Sequence, residues 1–175
     1  MRLIISLTGA SGVHLGMKII NYLPKDITPY LIISEHAKEV LKYESAYMYD
    51  KKDISAPVAS GSFPSDAMII APCSANTLAK ISCGIADNLI TRAASVMIKE
   101  QRTLLLAPRE MPFSTIALEN MLKLSRLGII IAPPILGYYS KQKSLDEMED
   151  FIIGKWFDLL KIEHNLYKRW RIEEA

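Results

Sequence analysis

The sequence predicts a doubly wound α/β fold: a mostly parallel sheet sandwiched by helices. Three observations carry this. The apolar β-type runs are continuous rather than alternating, as expected of strands covered on both faces. They alternate with segments whose apolar residues recur at helical spacing, the signature of parallel βα units. Several of them also end in turns of small hydroxyl, amide or glycine residues that open the next helix.

The elements follow in order. Arg2 to Thr8 is a buried strand rich in Ile and Leu, and Gly12 to Leu23 is a helix with Val13, Gly16, Met17, Ile20 and Leu23 on one face, stopped by Pro24. A strand at Ile27 to Ile33 leads to a helix from an N-cap at Ser34 to about Ser45, then to a polar stretch around Asp50 to Asp53. Ala67 to Ala71, Thr103 to Ala107 and the short Ile129 to Ala132 read as strands. Thr77 to Ile81, Asp87 to Lys99 and Ser114 to Leu127 read as helices. Ser144-Leu-Asp-Glu147 is a capping box opening a last helix to about Ile162. The result is a three-layer sandwich, Rossmann-like or flavodoxin-like. Residues 1–162 form one domain, and Glu163 to Ala175 read as a charged, solvated tail, against which Trp170 argues because an indole seeks a partner.

Bulk properties narrow the class. A chain of 175 residues suits one domain. Lys plus Arg number 21 against 19 Asp plus Glu, with both signs dispersed, so the balance leaves no nucleic-acid footprint. Half the residues are hydrophobic and the mean hydropathy is +0.14, yet no apolar run approaches the roughly 20 residues of a membrane span. The surplus apolar surface points to subunit interfaces. The first apolar run goes straight into a glycine turn, unlike a secretory leader. Cys73 and Cys83 lack partners at metal-ligand spacing and read as reduced core thiols of a cytoplasmic protein without structural zinc.

Four strand ends carry candidate chemistry. Thr8-Gly-Ala-Ser-Gly12 stands where glycines let backbone N–H groups approach a phosphate at a helix N-terminus, and its glycines suit a mononucleotide better than a dinucleotide. Ser34-Glu35 follows strand two. Ser60-Gly-Ser62 precedes the third strand, and Ser74-Ala-Asn-Thr77 follows it, able to hold a phosphate or a polar ring edge or simply to cap a helix. Arg109 and Glu110, clamped between Pro108 and Pro112, place a cation and a carboxylate at a strand end, where anion capture can stand beside proton transfer. The plainer reading is a solvated surface pair. Recurrence at Ser11, Ser34, Ser74 and Arg109 favours one shared rim. Tyr138-Tyr139 and Lys155 read first as packing and as a solvated lysine, and His14, His36 and His164 as structural.

Thr8-Gly-Ala-Ser-Gly12, Pro72-Cys-Ser-x-x-Thr-Leu78, Asp87-Asn-Leu-Ile-Thr-Arg-Ala-Ala94, Lys99-Glu100, Pro108-Arg-Glu-x-Pro-Phe-Ser114, Leu118-Glu-Asn-Met-Leu-Lys-Leu-Ser125 and Arg169-Trp170 together resemble the UbiX-type flavin prenyltransferases, from about residue 3 to residue 170. The resemblance implies transfer of a dimethylallyl group from dimethylallyl monophosphate to reduced FMN, giving the prenylated flavin used by UbiD-type decarboxylases. It implies a flavin site at Gly9, Ala10, Ser11, Ser34, Ser74, Ala75, Asn76, Thr77 and Arg109. The prenyl phosphate would meet Tyr139 and Lys155, aided by Arg92, Lys99, Ser60 and, at a neighbouring subunit's contact, Glu44. Glu110 is the implied acid/base, relayed by Ser11, with Lys99 stabilising the leaving phosphate and Trp170 shielding the allyl fragment. It implies a homo-oligomer, a dodecamer. Two departures stand out: the stretch from Glu44 to Val58 is short, and some relatives carry arginine where Lys155 lies, a fork in place of a point charge.

Other readings fit less well. A flavin-dependent cysteine decarboxylase would want a catalytic histidine on the first helices and a Pro-x-Met-Asn type segment where this chain has Pro72-Cys-Ser. A short-chain dehydrogenase would need its Tyr-x-x-x-Lys far later than Tyr47 to Lys51. A flavin carrier or accessory subunit of a decarboxylase would have no use for Lys99, Glu110 or Lys155.

Overall fold

Strand β1 (Arg2–Ser6) lies at the middle of the sheet because, beyond Arg2, none of its side chains meets water. The computed structural model describes residues 1–9, 12–33 and 46–169. Among them five further strands join β1: β2 (Thr28–Ile33), β3 (Tyr47–Asp50), β4 (Ala67–Cys73), β5 (Thr103–Pro108) and β6 (Ile130–Ile131). Every neighbouring pair is parallel, in the order β3-β2-β1-β4-β5-β6. The chain winds outward from β1 to β3, then returns to lay β4 on the other flank of β1. The winding direction therefore reverses between β1 and β4, whose carboxyl ends border the crevice where such sheets take ligands.

Successive strand residues feed opposite layers. Leu3, Ile5, Leu31 and Ile69 pack against α1 (Val13–Tyr22) and α5 (Leu145–Leu159) through Ile19, Ile152, Trp156 and Phe157. Ile4, Ile32, Met68 and Ile70 pack against α2 (Ala75–Ser82), α3 (Leu89–Lys99) and α4 (Thr115–Arg126) through Leu78, Ala93, Met97 and Leu124. The doubly wound sandwich expected from the continuous apolar strands is what the chain builds. Gly16 lets α1 close onto β1 and β4, since a Cβ there would stand 2.1 Å from Leu7 Cδ2 and 2.8 Å from the Ala71 carbonyl oxygen.

Some boundaries differ from the sequence reading. Tyr47–Asp50 is an edge strand where a polar stretch after a helix was expected, and the Tyr47 ring lies stacked on Tyr30 of β2 at 4.9 Å, a cross-strand contact that local pattern does not encode. Helix α2 starts at Ala75, two residues early, because Ser74 caps it by accepting the Thr77 N–H. Helix α5 ends at Leu159 rather than Ile162, and Lys161 turns left-handed with φ 58°. At its start Ser144 accepts the Glu147 N–H, but the Glu147 carboxylate accepts from Lys143 rather than completing a box on Ser144. Residues 163–169 are not a solvated extension: the His164 side chain is 3% exposed, and Leu166 packs against the core. Cys73 is buried as expected, whereas Cys83 is exposed, because it caps the end of α2 beyond the last apolar turn. The helix expected over residues 34–45 lies outside the described residues.

Candidate active site

The crevice between β1 and β4 is closed at its floor by one hydroxyl. Thr8 Oγ1 donates to the Pro72 carbonyl at 2.8 Å and accepts the Ser74 N–H, also at 2.8 Å, so the loop after β1 and the first turn of α2 form one rim. Ser74 Oγ in turn donates to Thr77 Oγ1 at 3.0 Å. Ala75 and Asn76 are exposed beside this cap. Among the described residues, Gly9 has no atom within 4 Å of where a Cβ would stand, chain neighbours aside, so they leave its backbone open to a ligand's approach. Gly12, the N-cap of α1, has φ 101°, a left-handed turn that favours glycine.

The rim continues onto β5. Cys73 of β4 is in register with Pro108 of β5, so Ser74 and Arg109 leave adjacent strand ends side by side. Arg109 and Glu110 are both exposed there, and Glu110 Oε1 accepts the Met111 N–H at 3.3 Å. They line a cleft of about 470 Å³ walled by Pro112, Phe113, Pro133 and Pro134. A guanidinium, a carboxylate and apolar walls at one strand end can bind an anionic, partly apolar ligand and exchange a proton with it.

Tyr139 and Lys155 are both placed relative to Phe151 of α5. The Tyr139 ring stands edge-on to Phe151 at 5.8 Å, and Lys155 follows Phe151 by one helical turn. Lys155 Nζ lies 3.9 Å from Asp158 Oδ2. Burial would push the Asp158 carboxyl up, but donation from Arg169, Tyr167 and His164 outweighs it and holds the group at about 2. Tyr167 is pushed up to about 12 by burial and by its bond to Asp158.

Other predicted residues stand apart within one chain. Lys99 pairs with Glu100 at the carboxyl end of α3, next to Gly61, and Ser60 shares a 2.8 Å hydrogen bond with Ser62. These groups precede β4 and β5 and lie at the pole opposite the rim. Arg92 is exposed on the first turn of α3, which the Leu89 N–H ties to the Lys51 carbonyl just past β3. Ala10, Ser11, Ser34, Glu44 and Trp170 lie outside the described residues.

Two residues were missed. Thr8 was legible only as a hydroxyl at a strand terminus, and Asp158 carried no signal beyond its place three residues after Lys155. The structural reading of two histidines fits: His14 Nε2 lies 2.6 Å from Glu149 Oε1, tying α1 to α5, and His164 contacts Asp158 at 3.1 Å.

A family model described as Flavoprotein matches residues 1–157. The flavin prenyltransferase UbiX of Campylobacter jejuni is 46% identical over 185 residues, covering 98% of this chain and 99% of that protein. The chain belongs to the UbiX-type flavin prenyltransferase family. The UbiX protein of Thermoplasma acidophilum is 45% identical, covering 97% of this chain and all of that one. Among solved structures, a dodecameric FMN-dependent UbiX-like decarboxylase from Escherichia coli O157:H7 matches with TM-score 0.90 and 38% identity, covering 98% of this chain and 100% of that one. AnUbiX in complex with FMN and dimethylallyl pyrophosphate matches with TM-score 0.90 and 39% identity, covering 99% and 98%. A PPC decarboxylase, 22% identical with TM-score 0.60 over 77% of this UbiX-type chain and 82% of its own, shares the fold alone. The cysteine decarboxylase reading thus keeps only the architecture.

Proposed function

We propose that this chain is a flavin prenyltransferase that moves a dimethylallyl group from dimethylallyl monophosphate to reduced FMN without a metal, and that its product serves UbiD-type decarboxylases. The observation that carries the reading is the continuous rim from Gly9 through Ser74 to Arg109, with the carboxylate of Glu110 on the same strand end. The residues present suit a flavin mononucleotide: an open backbone at Gly9, hydroxyls at Ser74 and Thr77, an exposed guanidinium at Arg109 and an apolar cleft beside it. When bound, reduced flavin supplies N5 as nucleophile and C6 as the site of ring closure.

The remaining work belongs to the protein. Gly9, Ala10, Ser11, Ser34 and Ser74 to Thr77 hold the flavin, and Arg109 orients it. The allyl C–O bond breaks as the C–N5 bond forms, and phosphate departs with its charge neutralised by cations, a task for Lys155, Lys99 and Arg92. Ring closure releases one proton, which Glu110 accepts, with Ser11 or the departed phosphate as relay. Tyr139 and Trp170 offer aromatic faces to the cation-like allyl group.

Lys99 and Ser60 lie at the far pole of their own sheet, so in this reading they act, as Glu44 does, from a neighbouring copy. Exposed Ile116, Leu118 and Leu122 on α4 give an apolar face suited to such assembly, and we extend this to the dodecamer described for the Escherichia coli relative. No helix among the described residues is long and apolar enough to cross a membrane. The free thiols Cys73 and Cys83 suit a cytoplasmic setting.

The test is anaerobic incubation of the purified protein with reduced FMN and dimethylallyl monophosphate or diphosphate, followed by mass spectrometry of the released flavin. Gain of one five-carbon unit with the monophosphate is expected. No gain with either donor sinks the transferase.

A further inference from the structure

We infer that Asp158 is a positioning residue for the prenyl-phosphate pair Tyr139 and Lys155, acting by clasping residues 163–169 against α5. The inference rests on the reading of Tyr139 and Lys155 as the phosphate-binding pair.

Three groups of that segment converge on one carboxylate. Arg169 Nη2 reaches Asp158 Oδ1 at 2.7 Å, His164 Nε2 lies 3.1 Å from the same oxygen, and the Tyr167 hydroxyl donates to Oδ2. The clasp turns the Tyr167 ring onto Phe151, with centroids 5.0 Å apart, and Phe151 is the ring against which Tyr139 stands. An unbroken aromatic chain therefore runs from the clasp to Tyr139. Both junctions depend on missing side chains. A Cβ at Gly154 would stand 2.5 Å from Tyr167 Cδ1 and 2.8 Å from His164 Cε1, and a Cβ at Gly137 would stand 2.7 Å from the Phe151 ring. Glycine inside a helix is less favourable than alanine, so Gly154 is a poor choice for α5 alone. It makes sense as the saddle over which the segment crosses.

The same clasp tunes Lys155. With the clasp made by Arg169, His164 and Tyr167, Lys155 Nζ lies 3.9 Å from Asp158 Oδ2, within Coulombic attraction and beyond hydrogen-bond reach. Asp158 thus keeps the ammonium on this face of α5 without capturing it, and Lys155 can turn to an arriving phosphate. Asp158 itself need not touch substrate.

Steady-state kinetics of Asp158→Asn, Asp158→Glu and Tyr167→Phe in the full-length protein test this, with separate KM values for dimethylallyl monophosphate and Kd values for FMN. Asp158→Asn should raise the donor KM about tenfold, the scale of one lost hydrogen bond to a charged group, with FMN affinity within about twofold of wild type. Tyr167→Phe keeps the ring on Phe151 and removes only its clasp, so a rise of a few-fold is expected, and Asp158→Glu should restore most of the loss. Tyr167→Phe decides the matter if Asp158→Asn does not fold. Unchanged donor KM in the folded variants, or equal losses for donor and FMN, overturns the positioning role while leaving the transferase intact. Absence of prenylated flavin with the wild-type protein overturns both.

Discussion

The Thr8 hydroxyl accepts the backbone N–H of Ser74 across the point where the sheet reverses its winding, at 2.8 Å, and so joins the two loops that form the candidate rim. Thr8 is buried, so neither the Ser74 N–H nor the Pro72 carbonyl it serves finds ready replacement by water. Thr8→Val keeps the shape, strands the Ser74 N–H and leaves the Pro72 carbonyl with only the longer Thr8 N–H bond at 3.4 Å. The expected cost is about 1–3 kcal/mol, with weaker FMN binding, whereas Thr8→Ser should retain most of both. Urea unfolding and flavin titration read these out; a Val variant as stable as wild type would show that the rim does not depend on this link.

Gly16 predicts a steric failure on the other side of the same loop. A methyl group at this position would meet Leu7 Cδ2 at 2.1 Å and the Ala71 carbonyl oxygen at 2.8 Å, so Gly16→Ala must push α1 off the sheet. A loss of about 1–3 kcal/mol is expected from overpacking, despite the better helix propensity of alanine. Chemical denaturation decides it, and a stabilised variant would contradict the tight approach of α1.

Glu110 should matter to turnover and not to flavin. Its carboxylate stands just past an exposed strand end and, among the described residues, accepts the Met111 N–H, so Glu110→Gln should fold normally and bind FMN as wild type does. Loss of a general acid/base predicts turnover lower by about 10²–10⁴-fold. Rapid-quench analysis of prenylated flavin measures this, and near-normal turnover would remove Glu110 from proton transfer.

Asp158 predicts an acid limb in stability. Its folded-state pKa of about 2 lies below the ordinary 3.8, because donation from Arg169, Tyr167 and His164 outweighs burial. The stabilisation is therefore complete above about pH 4 and is lost as pH falls toward 2. Urea unfolding of the wild type and Asp158→Asn should differ by about 2 kcal/mol more at pH 5 than at pH 2. A difference that does not change with pH would mean the carboxylate's charge is not what holds residues 163–169.

Much of the fold was legible from local pattern. Strand positions from β1 to β6, apart from β3, followed from continuous apolar runs, since a side chain buried on either face of a parallel sheet must be apolar. Ser74 and Ser144 were readable as caps, because a cap is satisfied within three residues of itself, whereas Ser114, expected inside its helix, proves to cap it. The turn at Gly9 to Gly12 and the charged end of β5 at Arg109 and Glu110 were likewise local. β3 was missed because it is only four residues long, an edge strand whose short Tyr47-Met48-Tyr49 run lacks the Ile- and Leu-rich length that marks its neighbours.

By itself, then, the sequence determined a covered parallel sheet, its strand ends and the chemistry at those ends, all of which depend on residues within a few positions of one another. Tertiary structure alone decided which ends adjoin: the reversal between β1 and β4, the Thr8 bridge to Ser74 and the register that sets Arg109 beside it. It also separated Lys99 and Ser60 from that rim and gathered His164, Tyr167 and Arg169 around Asp158. The physical reason is that strand order and tail docking are settled by packing between distant segments, whose partners no local period or cap can announce.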